Sequence, residues 1–512
     1  MEDSERYKTG ERAIAPLVAV LVPALVVSVL MVMTAVSSRP REKIVVDIAT
    51  ASPDVDPLVP DEDKPDPVDA PDDPAEPDVQ ITVDAPTVAP VAEVSALAPV
   101  ETAAEPVAQK PAPAEAVQRI TCPVRMPGMA SRTAAMRRRF TDGTAGCGDV
   151  ATESAVLKAL RWLKKTQKPN GSWDGNPIAN TGLAILAYLA HGEVPSGSRE
   201  FGPTVQRALD SLLAAQTGDG EDVRFRGADG NEYAFLIATY ALAEAYGMTR
   251  NPNVKAAALK GLVRIVRNQS PTGGWDYRLN RMSTRDDMSF AGWALQALKA
   301  GKMAGLHPEG LDACVKKAMK CLETRNFRNG GFSYTAGGNP TGLTATGCLA
   351  MQLLGYGDRP QVKAALDYMR EWRPAFDAVK LSATPQGASP QYYCYYAAQC
   401  KYQAGMRQGA KPADLRAWQA WNASMKALYP RTIVTLPERI PDADGRPREI
   451  GYWRNGDSMG SGDTMATCLC ALQLMVYYRY LPTTQAERRE APARPDSVTR
   501  NVMRDVCVDV DI

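Results

Sequence analysis

Residues 253–275 read NVKAAALKGLVRIVRNQSPTGGW, and after a short interval the chain resumes at Asp287 as DMSFAGWALQALKAGKMAG. In the first segment Val254, Ala257, Ala258, Gly261, Leu262, Ile265 and Val266 recur at i, i+3, i+4, i+7 and i+8. Lys and Arg occupy the opposite face, so this is an amphipathic helix with one side turned to water. The second segment is apolar or small nearly all round, which marks a helix buried on every side. The two make a hairpin: an outer helix, a Gly-rich turn, an inner helix.

The same pair recurs along the chain. Further inner helices begin at Thr181 (TGLAILAYLAHG), Glu232 (EYAFLIATYALAEAYG), Thr341 (TGLTATGCLAMQLLG), Gln391 (QYYCYYAAQCKYQAG) and Asp463 (DTMATCLCALQLMVYYRY). Amphipathic partners precede them, from Ala151, Thr204, Glu309, Gln361 and Ala413. The starts of successive inner helices lie about 50 to 55 residues apart, with a last interval of about 72, a repeat-protein period. Six buried helices alternating with six half-wet ones predict an inner ring sheathed by an outer ring. Ring closure buries the terminal hairpins against each other, where an open solenoid needs caps. The predicted fold is therefore all-α, an (α/α)6 toroid over 150–482, whose inner helices run parallel and open their N-termini on one mouth.

The turns carry a finer signature. Gln167-Lys-Pro-Asn-Gly171-Ser-Trp173 and Gln269-Ser-Pro-Thr-Gly273-Gly-Trp275 repeat, with weaker copies at Gln216 to Phe225, Gly330-Gly-Phe332 and Gly451-Tyr-Trp453. This resembles the Gln–Trp repeat of squalene-hopene and oxidosqualene cyclases and the related repeats of protein prenyltransferase β subunits. The resemblance covers about 150–482 and implies the toroid, with Gly ending the outer helix and the Gln amide and indole tying neighbouring hairpins together. It does not carry the family chemistry. The cyclases' Asp-x-Asp-Asp acid motif is missing, the nearest segments being Arg285-Asp286-Asp287-Met288-Ser289 and Gly462-Asp463-Thr464. The prenyltransferases' zinc set is missing too: Cys394 sits in a comparable place, but the two histidines, His191 and His307, do not accompany it. No metal and no cofactor is implied.

The remaining chain divides by composition. Residues 1–12 are a short tail, and 13–38 (AIAPLVAVLVPALVVSVLMVMTAVSS) form an uncharged stretch long enough to span a bilayer core of roughly 30 Å, a predicted single-pass transmembrane anchor. Residues 39–118 are an acidic, Pro- and Ala-rich linker expected to be disordered, 119–149 an irregular lead-in, and 483–512 a C-terminal tail. A stalk of this kind suits a toroid held outside the cytoplasm. The net charge of +1 and the lack of a basic–aromatic stripe argue against nucleic acid as a partner. Ten cysteines in this length make no disulfide scaffold, and seven fall within predicted helices, where a thiol is usually a buried apolar group. Cys122, Cys147 and Cys507 flank the helical domain, and their pairing is open.

The candidate site is the inner-helix mouth. Asp286, Asp287 and Asp463 are the catalytic candidates, although Asp, Asn, Ser and Thr at these starts (Asn180, Asn231, Asp287, Asn339 or Thr341, Ser389, Asp463) all suit helix capping. Tyr233, Trp293, Tyr392, Tyr393 and Tyr396 are the candidate ligand-binding rings, with ordinary core packing as the competing role. The expected function is a membrane-anchored, non-catalytic toroid that binds an apolar (isoprenoid-like) or peptide ligand at this mouth, with a glycan as a further candidate partner. The alternative is an enzyme, of terpenoid-cyclase type or a carbohydrate-active (α/α)6 protein using mouth carboxylates.

Overall fold

The structure is a computed structural model. It describes residues 132–133, 137–138, 140–141, 147–228, 232–375, 390–407, 409–456 and 462–479. The proposed anchor at 13–38, the acidic linker, Cys122 and Cys507 lie outside the described residues, as do Asn231 and Ser389. Among the described residues, no helix is long and apolar enough to cross a membrane.

Outer and inner helices alternate from α1 (Val150–Thr166) and α2 (Pro177–His191) through α3 (Gly202–Ala215), α4 (Tyr233–Thr249), α5 (Pro252–Arg267) and α6 (Met288–Met303). They continue with α7 (Leu311–Cys321), α8 (Thr344–Leu353), α9 (Pro360–Tyr368), α10 (Pro390–Met406), α11 (Pro412–Thr432) and α12 (Gly462–Leu474), followed by the single turn α13 (Val476–Arg479). The even-numbered helices touch in cyclic order, α2 to α4 to α6 to α8 to α10 to α12, and α12 packs back on α2. That last contact closes the ring. Each inner helix is buried almost throughout: in α4 all residues from Ala234 to Met248 are buried. The outer α5 buries only Val254, Ala257, Ala258, Gly261, Leu262 and Ile265, nearly the stripe that its sequence marks.

The Gln–Trp turns work as struts. Gln167 Nε2 donates both to Gly171 O in its own turn (3.0 Å) and to Thr204 O at the start of the next outer helix (2.9 Å). Gln269 does the same to Gly273 O and Cys314 O, each at 2.8 Å, and Gln216 reaches Ala257 O at 3.0 Å. The indoles of Trp173, Trp275 and Trp453 donate instead to the last turns of their own outer helices, at Leu163 O, Ile265 O and Tyr429 O. Glutamine thus joins hairpin to hairpin, and tryptophan joins turn to helix. Gly171 (φ +84°) and Gly273 (φ +102°) do not end their helices, which is a correction to the expected role. They sit in the turn after the cap, in left-handed backbone, where a Cβ would strike the carbonyl of Arg207 or Lys317 on the next outer helix.

Two other features depart from expectation. The long last interval contains a β-hairpin, Val434–Pro441 paired with Pro447–Tyr452, which packs on α1 and helps seal the first repeat to the last. Its turn is the Asp442–Gly445 segment: Asp442 accepts from the backbone of Asp444 and Arg446 and from Arg448 Nε, and these bonds hold its carboxyl down at about 2 against the cost of burial. Helices α8 and α9 are shorter than their apolar pattern suggests, at 10 and 9 residues.

At the end of the ring opposite the mouth, the two ends of the domain meet on one carboxylate. Glu244 lies on α4, about 16 Å along the helix from Tyr233 at 1.5 Å per residue. It pairs with Arg132 of the lead-in (2.8 Å) and with Arg479 of α13 (3.3 Å), and Arg479 also donates to Tyr240 Oη at 2.6 Å. All of these side chains are buried.

Candidate functional site

The mouth is built around Asp287. Its backbone N–H bonds Trp275 O (2.9 Å), and Met288 N bonds Tyr334 O (2.9 Å), so two loops fix the start of α6. Asp287 caps that helix: Oδ1 accepts from Phe290 N at 3.1 Å and from Ser289 Oγ at 2.6 Å. Oδ2 faces Arg285 Nη2 at 3.3 Å. Ser289 Oγ lies 2.5 Å from Tyr233 Oη, and Ser289 O accepts from Tyr392 Oη at 3.2 Å. One carboxylate therefore organises groups from α4, α6 and α10. Burial raises the Tyr233 phenol, and the nearby Tyr392 and Asp287 add to the rise, so Tyr233 stays protonated and acts as a hydrogen-bonding neutral ring.

Asp286 turns the other way. It accepts from the Thr272 hydroxyl and from Arg325 Nε at 2.5 Å, while its own carbonyl accepts from Asn326 Nδ2 at 3.3 Å. This ties the turn after α5 to the turn after α7. Beside the two acids lies a cavity of about 10 Å³, lined in part by Gly274, Trp275, Cys321 and Asn326, which is room for one water molecule. Asp463 is set apart. It sits within the first turn of α12, where its Oδ1 accepts from Asn455 N (2.8 Å) and holds the exit from the β-hairpin.

Capping explains the acids less uniformly than their sequence positions suggest. Among the described inner-helix starts, Asp287 caps as expected. Asn180 lies inside α2, which Asn176 caps one turn earlier, ahead of Pro177. The α8 cap position is Leu343, with Thr341 Oγ1 bonding its N–H at 3.2 Å, and Asp463 is a helix residue rather than a cap.

The aromatic candidates divide by depth. Trp293 stacks on Tyr395 (centroids 5.8 Å, planes 19° apart) and meets Tyr396 edge-on at 5.9 Å. Tyr395 Oη donates to Gln296 Oε1 (2.9 Å), and Gln296 Nε2 donates to Tyr396 Oη (3.3 Å). Trp293 and Tyr396 are fully buried, and these rings fill the space between α6 and α10. Tyr233, Tyr392 and Tyr393 are only partly buried and form the outward layer, Tyr392 packing edge-on against Tyr393 at 5.6 Å. Three side chains at this layer had no signal of their own in the sequence: Ser289, Tyr277 and Tyr334. Tyr277 packs on Tyr233 at 5.5 Å, and Tyr334 supplies the backbone carbonyl that receives Met288.

Replacing Asp287 by Ala removes the α6 cap and strips Arg285 and Ser289 of their acceptor. Unfolding in denaturant is expected to show a loss of about 2–3 kcal/mol. A loss below about 0.5 kcal/mol, the level of an ordinary surface change, would contradict the organising role given to this carboxylate.

Among the described residues, no group of three or more His, Cys, Asp or Glu side chains is arranged to hold a metal ion. The eight described cysteines are buried.

No protein-family model matches the chain. Nor does any curated protein. Similar solved structures include an α-1,6-mannanase of Salegentibacter sp. HEL1_6, at 11% identity over 65% of this chain and 99% of that one, with a TM-score of 0.45. An unsaturated glucuronyl hydrolase from Streptococcus agalactiae matches at 12% identity over 68% of this chain and 96% of that one (TM-score 0.44). Candida albicans protein geranylgeranyltransferase-I matches at 12% over 63% and 91% (TM-score 0.36). All three are (α/α) toroid proteins, the architecture that the helix contacts of this chain show independently.

Proposed function

We propose that this toroid binds a glycan at its inner-helix mouth. The observation that carries the reading is the layered arrangement there: partly exposed tyrosine rings over a hydrogen-bonded Asp287–Ser289–Tyr233 core. A sugar ring offers apolar C–H faces and a hydroxyl edge. A rim that alternates aromatic faces with phenols, a serine and a charged pair complements both. A long isoprenoid fits less well, because Trp293, Tyr395 and Tyr396 fill the interior between α6 and α10. The segment at 13–38 would tether this mouth to a membrane, with the acidic linker as spacer.

The experiment is calorimetric titration of the full chain with neutral and acidic oligosaccharides. Tyr277→Ala and Tyr393→Ala are each expected to weaken binding about tenfold, on the order of 1.4 kcal/mol. Failure of every oligosaccharide to bind would refute the reading.

A hydrolytic role for the same mouth is favoured by one observation, that Asp286 and Asp287 both line the small cavity there, since glycoside hydrolysis takes a carboxylate pair. Against it, both acids are already engaged by arginines, which suits fixed carboxylates better than a proton donor. Release of new reducing ends from a bound oligosaccharide, abolished in Asp287→Asn, would replace the binding role with catalysis.

A further inference from the structure

Arg285 is held more loosely than Arg264 and Arg161. Arg264 grips Glu232 with two parallel bonds of 2.8 and 2.9 Å, and its side chain is 11% exposed. Arg161 takes Glu200 the same way, through Nε at 2.8 Å and Nη2 at 3.2 Å. Those guanidinium forks are spent. Arg285 gives Asp287 a single contact at 3.3 Å, longer than a charge-assisted bond normally runs, and 44% of its side chain remains exposed.

Its position is nevertheless fixed. The guanidinium carbon lies 5.1 Å from the centroid of the Tyr277 ring and 5.4 Å from that of Tyr334, and the Arg285 backbone N–H bonds Ser283 Oγ at 3.2 Å. A planar five-donor cation, ordered between two rings, thus gives Asp287 only Nη2 and leaves 44% of its side chain exposed at the rim of the mouth. Asp287 is fully buried beneath it, with Oδ1 committed to Ser289 and to the helix N–H, so an incoming anion meets the guanidinium first. Arg325 adds a second cation above Asp286, using Nε and leaving 39% of its side chain exposed.

We infer that the mouth selects an acidic glycan, one whose sugar carboxylate is taken by Arg285 between Tyr277 and Tyr334. The inference rests on the glycan reading above and adds the substrate class to it. The carboxylate supplies the planar two-oxygen acceptor that the guanidinium fork matches, and the ring carrying it lies against the tyrosines. Pre-ordering by the two rings means that little side-chain freedom is lost on binding.

The test compares trigalacturonate with its neutral counterpart galactotriose, titrated into the full chain at low and at physiological ionic strength. The wild type is expected to bind the acidic trisaccharide about tenfold more tightly, with the gap narrowing as salt rises. Arg285→Met is expected to erase the preference, and a cooperative thermal unfolding transition like that of the wild type shows that the variant is folded. Arg285→Lys keeps the charge without the fork and should recover only part of the preference. Equal binding of the two sugars by the wild type, or an undiminished preference in Arg285→Met, would overturn the inference and leave the glycan reading standing. Binding of neither sugar would overturn the inference, and the glycan reading would fall with it only if every other oligosaccharide also failed to bind.

Discussion

Glu244→Gln is expected to lower the unfolding free energy by about 3–5 kcal/mol at neutral pH, because it leaves two buried guanidinium groups facing a neutral amide. The carboxylate takes both Arg132 and Arg479 where none of the three reaches solvent. Burial alone would raise its pKa, but the two arginines outweigh that and hold it at about 2. A carboxyl whose folded value lies below its unfolded value stabilises the fold above the unfolded value, near 4.5, and loses that contribution as pH falls toward 2. The gap corresponds to about 3 kcal/mol for the wild type. Urea unfolding at neutral pH and near pH 3 checks both parts. Wild type should lose stability across this window, while Glu244→Gln should start lower and fall less. A variant within about 1 kcal/mol of wild type at neutral pH would mean that the clasp between lead-in and last helix contributes little.

Trp275→Ala is expected to cost about 3–5 kcal/mol, the range for emptying a large aromatic site in a close-packed core. The indole is buried, and its Nε1–H satisfies Ile265 O in the last turn of α5. Its loss leaves both a cavity and an orphan carbonyl at the helix end. The same turn is tied to α7 through Gln269, so the damage should spread to the neighbouring hairpin. Gln269→Ala, which cuts the strut without emptying the core, should cost only about 1–2 kcal/mol. Equal losses in the two variants, measured by chemical denaturation, would contradict the separate roles given to tryptophan and glutamine.

The ring was legible because its signals are periodic and local. The stripe from Val254 to Ile265 and the all-round apolar α4 each declare how many faces are buried. Alternation of the two types then leaves few arrangements. Gln167 and Gln269 were legible as struts because they recur at the same offset from Gly and Trp, although which helix each amide reaches is a matter of packing. The β-hairpin at 434–452 was not legible as strands, since charged residues fall on both faces and only Ile440 of the first strand is buried.

The site was legible in part. Asp287, Tyr233 and Tyr392 are placed by helix register, and the structure joins them through Ser289. Asp463 shares the helix-start position yet serves a different loop, because Gly462 begins α12 before it and Asn455 takes its carboxylate. Depth was not legible: Trp293 and Tyr392 look alike as inward rings, but the stacking partner Tyr395 comes from α10, two inner helices further round the ring. Arg285 could not be singled out either. Its distinction lies in Tyr277 and Tyr334, one in its own loop and one 49 positions along the chain, and in a salt bridge too loose to use its fork.

The central claim is that the ligand enters at the N-terminal mouth of the inner ring, over Asp287. Hydrogen–deuterium exchange of the full chain, with and without saturating trigalacturonate, tests it most directly. The account predicts new protection confined to peptides covering 276–289, 333–338 and 391–396, with the opposite end around Glu244 unchanged. Protection centred on the Arg132–Glu244–Arg479 end, with none at the mouth, would contradict it.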